Sequence, residues 1–345
     1  VFKTNGYRTA AIGKWHLGSR DEQHPNNRGF DLFYGMKAGG RDYFYNEKKS
    51  DRPGDERNLL LNDRQVKFEK YLTDAFSEKA VEFINESSQP FMMYLAYNAV
   101  HTPMQATDED MAKFEGHPRQ KLAAMTYALD RGVGTVIRGL KDSGKFDNTL
   151  IFFLSDNGGA TTNQSSNYPL KGFKGNKFEG GHRVPYFVVW KNGIPAGKPY
   201  DGLVSSLDIF ATAIDAASIS KTRNRLDGVS LLPYLKGKKG EPHKVLYWRK
   251  MDTRAIRSGD YKLIITHGVD SVLYNIRRDP EEMNNLINKE PDLYRKLAKK
   301  LAKWEKNECI EPSWLEEGWR KITNRYHQQL MHNEIKTAQD LYKKK

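Results

Sequence analysis

The sequence predicts an α/β protein: a large mixed, mostly parallel sheet flanked by helices, followed by a smaller C-terminal antiparallel sheet with a helix. Three observations carry this. Leu150-Ile151-Phe152-Phe153-Leu154 is an unbroken apolar run that stops at the polar corner Ser155-Asp156-Asn157-Gly158-Gly159, the pattern of a strand buried on both faces. Ahead of it, strand-like and helix-like patterns alternate, which implies a right-handed parallel arrangement. Beyond residue 244, four short stretches joined by turns read as an antiparallel sheet.

The totals bound the rest. A chain of 345 residues with 38% hydrophobic and 12% aromatic content can bury a sizeable core. No apolar run approaches the ~20 residues that cross a bilayer, so no membrane span is expected. The single cysteine, Cys309, excludes an internal disulfide and a cysteine-cluster zinc site. A formal charge of +13 points to anionic partners. No helix-turn-helix, zinc or RNA-binding signature accompanies the charge, so nucleic acid is not the expected partner. The opening Val1-Phe2-Lys3-Thr4-Asn5-Gly6 has neither an initiator methionine nor a signal peptide. It reads as the tail of a helix, as though the chain began within a domain.

Taken in order, Tyr7 to Ile12 is the first expected strand and Gly13-Lys14-Trp15-His16-Leu17-Gly18 its exit. If that exit is extended, Lys14 and His16 share one side and Trp15 takes the other. Residues 19–70 are polar and read as a long insertion or lid, whose rings (Phe30, Phe33, Tyr34, Tyr43, Phe44, Tyr45) mostly serve packing. A helix follows from about Thr73 to Asn85, with Leu72, Phe76, Ala80, Phe83 and Ile84 on its buried face. Phe91 to Tyr97 is a second buried strand, and His101 sits at its exit. A long helix with Leu122, Met125, Leu129, Val133, Val136, Ile137 and Leu140 in one stripe ends near Gly144. It feeds the Leu150–Leu154 strand.

At that strand's carboxyl end Asp156 and Asn157 offer side-chain oxygens, as a hard cation such as Ca²⁺ or Mg²⁺ requires. A simple turn is the competing reading. The loop from Leu170 to Pro185 has glycines at 172, 175, 180 and 181 that permit close backbone approach, and Lys174 to meet an anion. Next, Ser206 is placed to cap a helix through Ile219 with Ile209, Phe210, Ala213, Ile214 and Ala217 inward. A linker at residues 237–242 precedes the antiparallel strands. Pro291 opens a helix whose Leu293, Leu297, Leu301 and Trp304 form a docking stripe. This gives three regions: 1–240 a large α/β region, 241–310 an antiparallel sheet with helix, and 311–345 a helical appendage.

Two lysines, two histidines and an oxygen-ligated cation suit a tetrahedral oxyanion. At this point the chain resembles the formylglycine-dependent, arylsulfatase-like sulfatases of the alkaline-phosphatase superfamily. Residues Gly6 to Gly18 resemble the family's second signature, Ser155 to Gly159 its metal-binding corner, and Leu170 to Pro185 its basic loop ending in Glu-Gly-Gly-x-Arg-Val-Pro. Leu273-Tyr274-Asn275-Ile276, Asp279-Pro280-Glu281-Glu282 and Asn285-Leu286 resemble a recurring piece of its C-terminal sheet.

The resemblance implies hydrolysis of a sulfate ester on a sulfated carbohydrate. Asp156 and Asn157 would ligate Ca²⁺, in preference to Mg²⁺. Lys14 and Lys174 would bind sulfate oxygens, His16 would serve the nucleophile as a base, and His101 would bind substrate and protonate the leaving oxygen. Such enzymes use a formylglycine made by a formylglycine-generating enzyme from a Cys/Ser-x-Pro-Ser-Arg motif. That motif is absent here, and Cys309 is followed by Ile310-Glu311-Pro312. The expectation is therefore an N-terminally truncated sulfatase, inactive as it stands, with the formylglycine upstream. A periplasmic, secreted or lysosome-like location follows from the same resemblance. Two other readings stay open: a phosphate-ester hydrolase of the same superfamily, and a non-catalytic binder of sulfated glycans.

Overall fold

The computed structural model describes residues 1–220, 225–309 and 316–343, in two compact units. The first comprises residues 1–150, 189–196 and 213–226; the second comprises 151–188, 197–212 and 227–345.

The first unit is built on a five-stranded sheet: β1 (Arg8–Lys14), β2 (Leu32–Met36), β3 (Leu60–Leu61), β4 (Arg64–Gln65) and β5 (Phe91–Ala96), in the order β4-β3-β2-β1-β5. β1 runs parallel to both β2 and β5, while β3 and β4 are antiparallel additions. The mixed sheet is therefore as expected, yet β2 comes from the stretch read as an insertion. Its Leu-Phe-Tyr-Gly-Met segment pairs with β1 from Ala10 to Lys14. Gly35 makes the pairing possible, because a Cβ there would lie 1.9 Å from the Gly13 carbonyl oxygen. The rings of this region do mostly pack: Phe33 and Tyr43 are buried, and the Arg41–Asp51 ion pair (2.6 Å) is sealed beside them.

Helices α1 (Leu72–Glu86), α2 (Asp108–Ala112) and α3 (Gln120–Asp142) complete the unit. α1 buries Leu72, Phe76, Ala80, Phe83 and Ile84, as its spacing requires. α3 differs from expectation. Its buried line runs through Ala124, Met125, Ala128, Gly132, Val136, Gly139 and Leu140, so small residues displace several of the large ones. The cause is close approach to α1: a Cβ on Gly132 would meet Ser77 Oγ at 2.6 Å, and one on Gly139 would meet Val81 at 2.9 Å. Arg131 ties the seam by bridging Asp74 at 3.0 Å and Asp110 at 2.5 Å.

In the second unit, β6 (Ile151–Leu154) pairs with β7 (Tyr186–Val189) as a separate two-stranded sheet. The expectation that this strand is buried on both faces fails, since Phe153 is 40% exposed and Phe187 beside it 58%. An unbroken apolar run marks a strand but names neither its neighbours nor its cover. α4 (Glu179–His182), α5 (Asp208–Ala216) and α6 (Leu232–Leu235) follow. α5 starts at Asp208, whose carboxylate accepts from the Ser205 amide at 2.7 Å, and Phe210 is outward, not inward.

The antiparallel meander is present: β8 (Val245–Lys250), β9 (Thr253–Ser258), β10 (Tyr261–Thr266) and β11 (Asp270–Asn275) lie in sequential order. Alternation gives it two apolar faces. Ile256, Leu263 and Leu273 meet Leu297 and Leu301 of α7 (Pro291–Glu308), with Trp304 stacked on Tyr247. Ala255, Ile264, Val272 and Tyr274 meet Phe173, Phe178 and the C-terminal residues Leu330, Met331, Ile335 and Ala338. Those belong to, or follow, α8 (Glu317–Met331); a last short helix is α9 (Asp340–Lys343). The C-terminal segment thus supplies core. Among the described residues no helix is long and apolar enough to cross a membrane.

Candidate active site

Lys14 is the last residue of β1, in register with Met36 of β2. Trp15 turns inward and donates its indole N–H to the Gln23 carbonyl at 2.9 Å. His16 then leaves the extended conformation: its φ is 51°, a left-handed value unusual for a side chain of this size. Its amide donates to the Lys37 carbonyl at 3.0 Å, which fixes the turn. The expected extended exit is therefore corrected at His16, although Trp15 is buried and His16 exposed as alternation would have it.

The same unit brings His101 to the same loop. A Cβ on Gly39 would lie 2.6 Å from the His16 ring, and one on Gly40 would lie 3.2 Å from His101 Nδ1. Two consecutive glycines thus lie against both imidazoles. His101 Nδ1 donates to the Thr102 carbonyl at 2.8 Å, which leaves Nε2 as the ring's other polar atom. The backbone of this segment is held by Tyr43, whose hydroxyl lies 2.8 Å from the Asn98 carbonyl and 2.9 Å from that of His101. Burial pushes the Tyr43 phenol far above its ordinary range, so it stays a donor. Gln105 links the two segments, accepting from the Tyr43 amide at 2.8 Å and donating to Asp42 at 2.9 Å.

In the second unit Asp156 and Asn157 follow β6 directly. Ser155 Oγ donates to the Asn157 carbonyl at 2.8 Å, and the Asn157 side-chain amide donates to the Gly158 carbonyl at 3.0 Å. The Gly158 amide donates to Gly181 at 3.1 Å, and a Cβ on Gly158 would lie 1.8 Å from the Gly180 oxygen. Lys174 joins the corner through its backbone, whose amide donates to the Gly159 carbonyl at 2.9 Å. Asp156, Asn157 and Lys174 are thus on adjoining, mutually bonded segments. Among the described residues there is no group of three or more His, Cys, Asp or Glu side chains placed to hold a metal. Asp156 and Asn157 are hard oxygen donors of the right kind for Ca²⁺, and they fit as part of a shell rather than the whole of one.

Behind the corner lies an ionic group that the sequence did not reveal. Lys262, fully buried, reaches Glu179 at 2.8 Å and Glu282 at 3.0 Å. The Glu179 amide donates to Glu282 at 2.6 Å, and Lys262 donates to the His182 ring at 3.1 Å. Burial pushes Glu179 up, but Lys262, His182 and Arg257 outweigh it and hold it well below the usual carboxylate range. Burial pushes Glu282 up. Burial, aided by Lys262, brings His182 down to about 3, and its ring stacks on Trp248 at 4.5 Å. Lys171 donates to the Glu282 carbonyl at 3.0 Å. This network anchors the Glu-Gly-Gly segment to the meander. The only available signal was the glutamate before the glycine pair, and nothing in its neighbourhood names a lysine more than 80 residues away.

Comparison with known proteins follows the same motifs. Residues 1–219 match the family model Sulfatase, and residues 174–307 match N-sulphoglucosamine sulphohydrolase, C-terminal. The uncharacterized sulfatase YdeN of Escherichia coli is 37% identical over 281 residues, 72% of this chain and 48% of that protein. The N-acetylgalactosamine-6-sulfatase of Canis lupus familiaris is 30% identical, over 76% of this chain and 52% of that protein. The chain thus spans about half the length of these relatives. The crystal structure of Ps i-CgsB in complex with k-i-k-neocarrahexaose superposes with a TM-score of 0.84 at 36% identity, covering 94% of this chain and 77% of that one. A phosphonate monoester hydrolase of Agrobacterium radiobacter shares the fold at a TM-score of 0.61 and 17% identity, over 90% of this chain and 81% of that one.

Proposed function

The chain belongs to the sulfatase family, and from that premise we propose that the protein it forms hydrolyses sulfate esters of a sulfated glycan. The observation that carries the reading is the cradle of Gly39 and Gly40 against His16 and His101, one strand exit away from Lys14. Two imidazoles beside a cation are the equipment for moving protons at an ester whose departing group is an alcohol.

In this reading Lys14 and Lys174 each bind a sulfate oxygen and offset the charge that develops on it. His16 takes a proton from the nucleophile. His101, with Nδ1–H committed to the Thr102 carbonyl, works through Nε2: it binds the ester and hands a proton to the leaving oxygen. Asp156 and Asn157 would contribute ligands to Ca²⁺, which supplies Lewis-acid polarisation of the sulfate when bound. The nucleophile would be a formylglycine installed by a formylglycine-generating enzyme, and these 345 residues contain no Cys/Ser-x-Pro-Ser-Arg precursor for it. The net charge of +13 favours a polyanionic substrate.

The test uses the full-length protein co-expressed with a formylglycine-generating enzyme. Sulfate released from sulfated oligosaccharides is followed by ion chromatography, beside parallel assays on an aryl sulfate and an aryl phosphate. Sulfate release with aryl sulfate preferred supports the reading; preference for phosphate, or binding without turnover, overturns it.

A further inference from the structure

The second unit contains many cations, and most of those near the Glu-Gly-Gly segment are matched to a carboxylate. Lys262 has Glu179 and Glu282, Arg257 faces Glu179 at 3.7 Å, and Arg254 has Glu305 at 2.7 Å. Three lysines beside them break that pattern. Lys174 and Lys177 lie on the basic loop, and the Lys250 Nζ reaches across from the end of β8 to within 3.0 Å of where a Gly175 Cβ would be. Among the described residues none of the three forms an ion pair. Lys250 is held below the ordinary lysine range by burial and by repulsion from Lys174. Lys177 is brought down to about 8 by burial, with Lys250 and Lys262 adding repulsion. The buried ring of His327, brought down to about 4 first by burial, feels added repulsion from both Lys177 and Lys250. Like charges are gathered here, among the described residues no carboxylate pairs with them, and an anion from outside would offset their repulsion.

We propose that Lys177 and Lys250 form a second anion subsite beside Lys174, which receives a further sulfate of a multiply sulfated glycan. The inference rests on the sulfatase reading for its ligand class, since Lys174 holds the sulfate being removed in that reading. Gly175 is the residue that admits Lys250: with no side chain there, the ammonium comes within 3.0 Å of where a Cβ would be, on the loop that carries Lys174 and Lys177. A glycan with one sulfate per disaccharide would engage Lys174 and leave the second position without its anion. A glycan with two would fill both.

The experiment measures affinity separately from turnover. The full-length protein is titrated calorimetrically, at one fixed ionic strength, with neocarratetraoses carrying two or one sulfates per disaccharide. The expected result is about a tenfold preference for the doubly sulfated form, the size of one charge-assisted contact. Lys250→Gln and Lys177→Gln should each abolish most of that preference, while Lys250→Arg retains it. Circular dichroism on each variant confirms the fold. Equal affinity of the unaltered protein for the two sugars, or a preference unchanged in both glutamine variants, overturns the subsite. A failure of the sulfatase reading shows instead as absence of sulfate release from either sugar, whatever the affinities.

Discussion

The two units hold their candidate groups in different ways. In the first, His16 and His101 rest on main chain: a glycine pair, a left-handed turn and carbonyl-anchored loops position them, with Tyr43 and Gln105 among the side chains that hold those loops. In the second, the Asp156-Asn157 corner and Lys174 lie on loops tied to a buried ionic group of Lys262, Glu179 and Glu282. The first arrangement is steric in the contacts that fix its two imidazoles. The second is electrostatic, and it fails when one partner is removed. The difference teaches where each half is vulnerable.

The largest expected effect follows from the electrostatic half. Lys262→Met leaves Glu179 and Glu282 facing each other without their cation in a site closed to water. Removing one member of such a buried set costs about 3–5 kcal/mol. Urea unfolding should show the midpoint falling with little change in slope. A loss below about 1 kcal/mol would mean that the network does not anchor the second unit.

Next come the lysines assigned to sulfate. Lys14→Ala and Lys174→Ala should each lower turnover of the full-length protein by about a hundredfold or more, as loss of one oxyanion contact does. Steady-state assays on an aryl sulfate read this directly. The comparison sharpens if Lys14→Ala, in the steric unit, leaves stability unchanged while turnover falls. An unaltered rate in either variant would remove that lysine from the site.

A pair of alanine substitutions separates the two kinds of support. Gly158→Ala forces a methyl group into the Gly180 carbonyl, backbone against backbone, so the corner itself must move. That should cost about 1–3 kcal/mol of stability. Gly39→Ala meets first the side-chain ring of His16, at 2.6 Å, and not backbone. Stability should be nearly unchanged there, while the rate falls because the imidazole is displaced. Thermal melts and rates on both variants check the contrast; equal destabilisation by the two would collapse it.

How much of this was legible in the sequence depends on whether the signal was local. The α1 face, the meander and the α7 stripe were readable because periodicity reports burial directly. Lys14, His16, His101, Asp156, Asn157 and Lys174 stood out by their place at strand exits and in the glycine loop. β2 was hidden in a polar stretch, since its five residues need the β1 neighbour to become a strand. The exposure of Phe153 was invisible for the same reason: partners are properties of the fold. Gly39 and Gly40 were overlooked because a glycine pair in a polar region ordinarily signals a turn. The Lys262–Glu179–Glu282 group joins residues far apart in the chain, and no local pattern encodes it.

The smallest effect tests the electrostatic half through pH. His182 has its folded pKa depressed, from 6.5 to about 3, by burial and then by Lys262. In the unfolded chain the same imidazole takes up a proton near pH 6.5. Between those values the unfolded state binds a proton that the folded state refuses, so stability is full above pH 6.5 and is lost as the pH falls toward 3. By pH 5.5 the loss from this residue alone should be about 1 kcal/mol. His182→Phe keeps a ring to stack on Trp248 but cannot titrate. The variant is expected to be less stable at pH 7.5, where it lacks the acceptor for Lys262, yet to lose less stability than the unaltered protein between pH 7.5 and 5.5. The quantity to compare is that slope, from urea midpoints at several pH values, because carboxylates titrating elsewhere contribute equally to both proteins. Parallel slopes for His182→Phe and the unaltered protein would show that His182 already shares its proton in the folded state, and the electrostatic account of the second unit would lose its pH-sensitive member.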